Sequence, residues 1–243
     1  MMALLTLERL PKKSLFSFGV IFFSLFLFPS FFLVPGPASA QTSRPDIILS
    51  WRAETYTPPF FSGKALPINR SSVVVSLDVL VGGKILDLSS QQLEWYVNDA
   101  PFRAGVGLRR ISIAMPDLLG SRSVSVGVRI PDYGDGSLEK TIAIPTASPK
   151  VVITHPYPKN NISSSFSALA VPYFFNVSSP LELAYLWDVN DEAPSGKESP
   201  RVLSVQLPRE TPIGALVSVM LTAQNKNSSR ENALAVAMFT KTQ

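Results

Sequence analysis

LEWYVNDAP, Leu93 to Pro101, has a near copy in YLWDVNDEAP, Tyr185 to Pro194. Trp95 and Trp187 stand 92 positions apart, and Val97/Val189, Asn98/Asn190 and Asp99/Asp191 keep that spacing. The spacing runs on downstream, where Ile111, Ile113, Met115 and Pro116 match Leu203, Val205, Leu207 and Pro208. After one inserted residue, Val124, Val126 and Val128 match Val217, Val219 and Leu221. At average residue usage, three matches around a tryptophan arise by chance about once in a thousand times or less. The chain therefore holds two diverged copies of one unit.

Each copy alternates with period two. In SVVVSLDVLV (Ser72 to Val81), Val73, Val75, Leu77, Val79 and Val81 share a face, with Ser76 and Asp78 on the other. SVSVGVRI (Ser123 to Ile130) repeats the scheme, and no segment beyond residue 40 shows a 3.6-residue period. Short alternating runs of this kind are half-buried antiparallel strands. Of 21 prolines, 17 lie after residue 40 and punctuate those runs. Strands are expected near 46–51, 73–81, 92–97, 109–115, 123–130 and 138–144, with a tight turn at Asp135-Gly136. The second set is expected near 150–154, 168–177, 183–189, 201–207, 215–224 and 233–240. Six or so short strands per copy make a two-sheet sandwich. IPTASPK, Ile144 to Lys150, is the joint, so the expected domains are 41–146 and 147–243.

A tryptophan in the third strand resembles the core tryptophan of immunoglobulin-like domains. YLWDVND, Tyr185 to Asp191, is similar to the Trp-Asp-Phe-Gly-Asp-Gly signature of PKD-type Ig-like domains, with Val189-Asn190 in place of Phe-Gly and no final glycine. LEWYVND departs further. The chain as a whole resembles exported bacterial proteins with tandem Ig-like domains. The resemblance implies an all-β fold of two tandem Ig-like (PKD-like) antiparallel sandwiches; it implies no activity. In such a fold Trp95 and Trp187 fill the space between sheets, each burying about 200 Å². At about 25 cal/mol/Å² that is roughly 5 kcal/mol before entropy, comparable to a domain's whole net stability. Val97 and Val189 point to the same core, and Asn-Asp ends the strand because both residues tolerate turn conformations.

The first forty residues are read as a signal peptide. Arg9, Lys12 and Lys13 precede an apolar run from Ser14 to Val34, and Ala38-Ser39-Ala40 offers a cleavage site before Gln41. The alternative is an uncleaved anchor, since the run is long enough to cross a bilayer although Pro29 interrupts it. Either way the rest is expected to be exported, to the periplasm, the cell surface or the medium. Eight of the fifteen phenylalanines lie in this leader. Without it, the net charge falls from +4 to +2, which argues against nucleic acid as a partner. Cysteine is absent, so no disulfide, thiol catalysis or cysteine-bound metal is available.

Catalytic signatures are scarce. His155 is the one histidine, excluding His-pair zinc sites, and no Gly-x-Ser-x-Gly elbow accompanies it. In THPYP it reads as an exposed linker residue. No phosphate loop is present; Gly105-Val106-Gly107 alone does not make one. Asp188, Asp191 and Glu192 are close enough to suggest a glycosidase carboxylate pair, and more simply form a strand residue and a solvated turn. If Asp188, Asn190 and Asp191 do more, calcium suits their oxygens; no other cofactor is implied. DYGDG, Asp132 to Gly136, raises the same question and reads as a hairpin turn. Asn-x-Ser sites at Asn69, Asn161, Asn176 and Asn227 are read as unmodified.

Two aromatic clusters stand out. TYTPPFFS, Thr55 to Ser62, lies in a loop, where Tyr56, Phe60 and Phe61 can stack on a sugar or a proline-rich peptide, or fold over an open sheet edge. PYFF, Pro172 to Phe175, falls within an expected strand and reads as core. The leading expectation is a non-enzymatic structural or interaction module of the cell envelope, with a protein partner there. The runner-up is a carbohydrate- or peptide-binding accessory protein using Tyr56 to Phe61. A third reading is a secreted hydrolase. The membrane enters only through residues 14–34, if the leader stays.

Overall fold

The computed structural model describes residues 44–117, 122–134, 136–194 and 199–242. The leader and its cleavage after Ala40 lie outside the described residues. The alternation seen in the sequence becomes sheet. β1 (Asp46–Ala53), β2 (Ser72–Val81), β3 (Lys84–Ile85), β4 (Gln92–Val97), β5 (Ala100–Val106), β6 (Arg110–Ala114), β7 (Ser123–Tyr133) and β8 (Gly136–Pro145) come first. β1 pairs one flank of β2, and β6 and β3 share the other; the facing sheet runs β5-β4-β7-β8. Val73, Val75, Leu77 and Val79 of β2 are buried, while the residues between them are half-exposed. They pack on Leu93, Trp95, Val124, Val126, Val128 and Ile130 of the facing sheet.

The second set is β9 (Lys150–Thr154), β10 (Asn161–Ile162), β11 (Ser165–Tyr173), β12 (Leu183–Val189), β13 (Val202–Gln206), β14 (Leu216–Asn225) and β15 (Ser228–Lys241). It forms β13-β11-β9 against β10-β15-β14-β12, with β10 and β15 parallel and the other described pairs antiparallel. Residues from Ser43 onward form one compact unit with two hydrophobic cores, one per copy. In each copy, strands one, two and the partner of two make one sheet, and the tryptophan strand lies in the other. This is the Ig-like sandwich. Among the described residues no helix is long and apolar enough to cross a membrane.

The repeat has a physical explanation at each position. Trp95 and Trp187 are 1% and 3% exposed. The Trp95 indole N–H donates to the Leu108 carbonyl at 2.8 Å, and that of Trp187 to the Pro200 carbonyl at 3.1 Å. A ring this deep needs that bond, because an unpaired N–H in the core costs about 1–3 kcal/mol. Val97 and Val189, half-buried, pack against the same two cores. Asn98 and Asp99 have φ of 49° and 62°, and Asn190 and Asp191 have 52° and 66°. Consecutive left-handed residues make the turn that leaves the strand, and Asn and Asp tolerate that region best after glycine. The Asn does a second job. Its backbone N–H donates to the carbonyl of Ser125 or Ser218 at 2.9 Å in both copies. Its side-chain oxygen accepts the backbone N–H of that same serine, at 3.0 Å for Asn98 and 2.9 Å for Asn190.

The repeat also reaches further than the alternation suggests. Arg109 and Arg201 are 92 apart, and each directs its guanidinium to a carbonyl of the second strand, Leu77 at 3.3 Å and Ala170 at 3.3 Å. Arg109 also pairs with Asp78.

Some expected elements move. The strand expected at 168–177 is β11, which starts at Ser165 and ends at Tyr173, because Phe174 turns left-handed with φ 58°. Residues 174–177 are therefore outside it. Tyr133 pairs with Gly136 and Gly134 is left-handed at φ 59°, so the turn starts earlier than the expected Asp135-Gly136, and Gly136 is already strand; Asp135 lies outside the described residues. β5 was not expected: APFRAGV is exposed at six of seven positions and has no apolar alternation to reveal it. It fills the edge of β4. The matching edge of β12 pairs with no strand among the described residues.

Candidate functional site

The two aromatic clusters meet. The chain leaving β1 crosses to the second copy, where the Tyr56 N–H donates to the Phe175 carbonyl and the Phe174 N–H to the Tyr56 carbonyl, both at 2.7 Å. Phe61 then sets its ring edge-on to Tyr173 at 5.6 Å and to Phe174 at 5.7 Å. A Cβ on Gly63 would lie 2.4 Å from the Phe61 ring, so the glycine lets the ring lie down. Thr55, buried, donates its hydroxyl to the Leu66 carbonyl at 2.8 Å and closes the loop. Lys64 places its ammonium 3.5 Å from the centre of the Trp51 ring, and partial burial lowers its pKa. Of the three rings proposed for stacking, Tyr56 and Phe61 are half-buried at this junction. Phe60 is 71% exposed.

PYFF, expected as core, divides. Phe175 is fully buried, while Tyr173 and Phe174 are half-exposed under Phe61. His155 is not the exposed linker residue expected. It is half-buried, lies 4.8 Å from the Phe239 ring, stacks beside Tyr157, and its Nδ1 accepts the Tyr157 N–H at 3.3 Å. The apolar rim of the second core draws the imidazole in.

Asp188 lies mid-strand in β12, on the outer face of its sheet, and its buried Oδ1 has no hydrogen-bond partner among the described residues. Asn190 and Asp191 occupy the following turn. The Asn190 oxygen is engaged by Ser218, so a cation there has to displace that bond. Among the described residues no three His, Cys, Asp or Glu side chains gather as a metal site. Asp191 and Glu192 sit at the exposed turn, where Val189 and Glu192 close it.

A cleft of about 960 Å³ lies between the copies, beside the 146–149 joint. Its walls carry Arg70, Arg122, Arg230, Asp117 and Glu231, a set the sequence scatters over 160 positions. Arg70 grips Asp117 with two bonds, 3.0 and 2.7 Å, which hold the Asp117 carboxyl below its ordinary range. Arg230 adds to that pull. Glu231 is buried and accepts from the Asn176 N–H and, at 3.1 Å, from the Asn225 amide. Asp117 is thus paired with a guanidinium and Glu231 is held by amide donors, while Arg122 and Arg230 stand exposed at the cleft. Close by in the second core, burial pushes the Tyr185 phenol up to about 12, its O–H donating to the Pro180 carbonyl at 2.9 Å.

No protein-family model matches the chain, and no curated protein matches it. Among solved structures it is similar to three N-terminal domains of the highly immunogenic outer capsid protein of bacteriophage RB49. That pair has a TM-score of 0.45 and 11% identity over 82% of this chain and 59% of that one. The fibronectin(III)-like modules of Clostridium thermocellum CbhA give a TM-score of 0.28 and 12% identity over 81% and 95%. SGBP-B of the Bacteroides ovatus mixed-linkage glucan utilization locus, in complex with a heptasaccharide, gives 0.25 and 10% over 84% and 48%. The chain spans less than two thirds of the length of the first and third of these structures.

Proposed function

We propose that the chain is a non-enzymatic interaction module of a bacterial cell envelope. Its leader exports it, and two PKD-like sandwiches, 41–146 and 147–243, present surfaces to a protein partner. The junction carries this reading. Residues that can do chemistry elsewhere are here spent on holding two sandwiches together: Tyr56 joins the strands of the second copy and Phe61 closes over Tyr173 and Phe174. A joined pair of domains suits a spacer that displays surfaces at a set separation. The experiment is fractionation of expressing cells with N-terminal sequencing of the recovered chain. An envelope chain beginning at Gln41, or at Met1 if the leader anchors it, supports the reading; a cytosolic chain retaining Met1 overturns it.

A second reading is a carbohydrate- or peptide-binding accessory protein. Two separate features favour it: Phe60, exposed on its loop, and the cleft lined by arginine and amide groups. Glycan-array binding lost in Phe60→Ala or Arg230→Ala supports this reading, and binding unaffected by both sinks it.

A further inference from the structure

The duplication supplies an internal control for every surface position. Pairing registers place Glu94, Arg129 and Glu139 in one row across β4, β7 and β8 of the first sandwich. The same row in the second sandwich is Leu186, Thr222 and Leu234. The next row is Tyr96, Gly127 and Thr141 in the first copy, and Asp188, Met220 and Val236 in the second. Beyond it, Ser125 and Ala143 become Ser218 and Met238. One scaffold therefore carries two different outer faces. The first is polar, with Arg129 and Glu139 paired at 3.1 Å. The second exposes Leu186, Leu234 and Val236 at 61%, 61% and 58%, with Met238 at 44% and Leu216 at 65%.

We propose that this outer face of β12, β14 and β15 docks on the same face of a second copy of the chain. The exposed parts of those five side chains sum to on the order of 500 Å², at the upper end of what a monomer leaves in one apolar patch. With the half-exposed Ser218, Thr222 and Thr240 around it the face reaches about 600 Å², short of the roughly 800 Å² that each partner buries in a standard interface and in the range of a weak, concentration-dependent one. A two-fold contact requires a surface that matches itself. This one does: it is a sheet face with one charge, Asp188, on the outermost strand, so two copies meet without stacking like charges at the centre. Two such faces pack about 10 Å apart with strands nearly aligned, the arrangement each sandwich already uses inside. The first sandwich cannot do this at the same place, because Glu94, Arg129 and Glu139 would be desolvated there.

The proposal rests on the interaction-module reading, and a distinct measurement decides it. The chain, expressed with its own leader and purified, is followed by sedimentation equilibrium up to about 100 μM, where a Kd of about 10 μM leaves most of it dimeric. A concentration-dependent dimer is expected. Val236→Lys and Leu234→Glu should each leave it monomeric, with the melting temperature at low concentration unchanged. Thr141→Lys, at the position matching Val236 in the first copy, should leave the dimer intact. A monomer at every concentration, or a dimer that survives both face variants with their circular dichroism native, overturns the proposal. If either variant fails to fold, Met238→Lys answers the same question. A monomeric chain still recovered in the envelope would remove self-docking and leave the module reading standing.

Discussion

Replacing Trp187 with alanine tests the account of the second core most directly. The ring is 3% exposed, so nearly all of its surface, about 200 Å², is lost from the interior. At about 25 cal/mol/Å² the transfer term alone is roughly 5 kcal/mol, and measured tryptophan and phenylalanine truncations cost about 3–5 kcal/mol after relaxation. The Pro200 carbonyl also loses its indole donor. Trp187→Phe separates the two effects: it keeps most of the area and removes the N–H, for an expected loss of about 1–3 kcal/mol. Urea unfolding followed by far-ultraviolet circular dichroism gives both numbers, while in the variants the emission of Trp51 and Trp95 reports the first sandwich in the same sample. Stability should fall in the order wild type, phenylalanine, alanine, with Trp187→Ala at least about 3 kcal/mol down. A loss below about 1 kcal/mol for alanine would refute the claim that this ring holds the two sheets together.

Asn98→Ala should cost about 2 kcal/mol, from left-handed strain and the lost bond to Ser125, whereas Asn98→Gly removes only the bond and should cost about half that. Thermal melts that rank alanine at or above glycine contradict the turn assignment. Tyr185 gives a pH test. Burial raises its folded pKa to about 12, so the neutral phenol's contribution is complete below its unfolded pKa of about 10 and is lost as pH rises through about 12. Melting temperatures taken from pH 9 to 12 should therefore fall more steeply for wild type than for Tyr185→Phe, and parallel curves argue against it. Phe61→Ala removes two edge-to-face contacts worth about 0.5–1.5 kcal/mol each. Limited proteolysis should then cut the 54–66 loop faster with the two cores intact; unchanged cleavage would place Phe61 outside the junction.

The strands were legible because each buries one face only. Period two in β2 and β7 then appears directly as valine alternating with serine. β5 was not legible, since an edge strand exposed on both sides leaves no alternation to read. The end of β11 was misplaced for a different reason. PYFF is apolar throughout, and nothing local says that Phe174 adopts a left-handed conformation to present its N–H to Tyr56. Site information fared similarly. Phe61 and Tyr173 are 112 positions apart, and their contact depends on how two copies are joined, which no pattern within either copy encodes. The cleft arginines are drawn from both copies and share no motif. The prolines of THPYP suggest exposure for His155, while Phe239, which draws it in, comes from the last strand.

The β12 flank, which pairs with no strand among the described residues, has an outcome for biogenesis. Its counterpart, β4, is shielded by β5, whose Pro101, Arg103 and Gly105 discourage any further strand from adding on. LAYLWDV carries one acid and no proline to turn an incoming chain away, and of its residues Val189 is already engaged by Glu192. While nascent copies are crowded together, the β5 segment of one polypeptide can pair with the β12 flank of another in nearly the same register. Trapped oligomers formed during overproduction should therefore join the amino-terminal half of one molecule to the carboxy-terminal half of its neighbour.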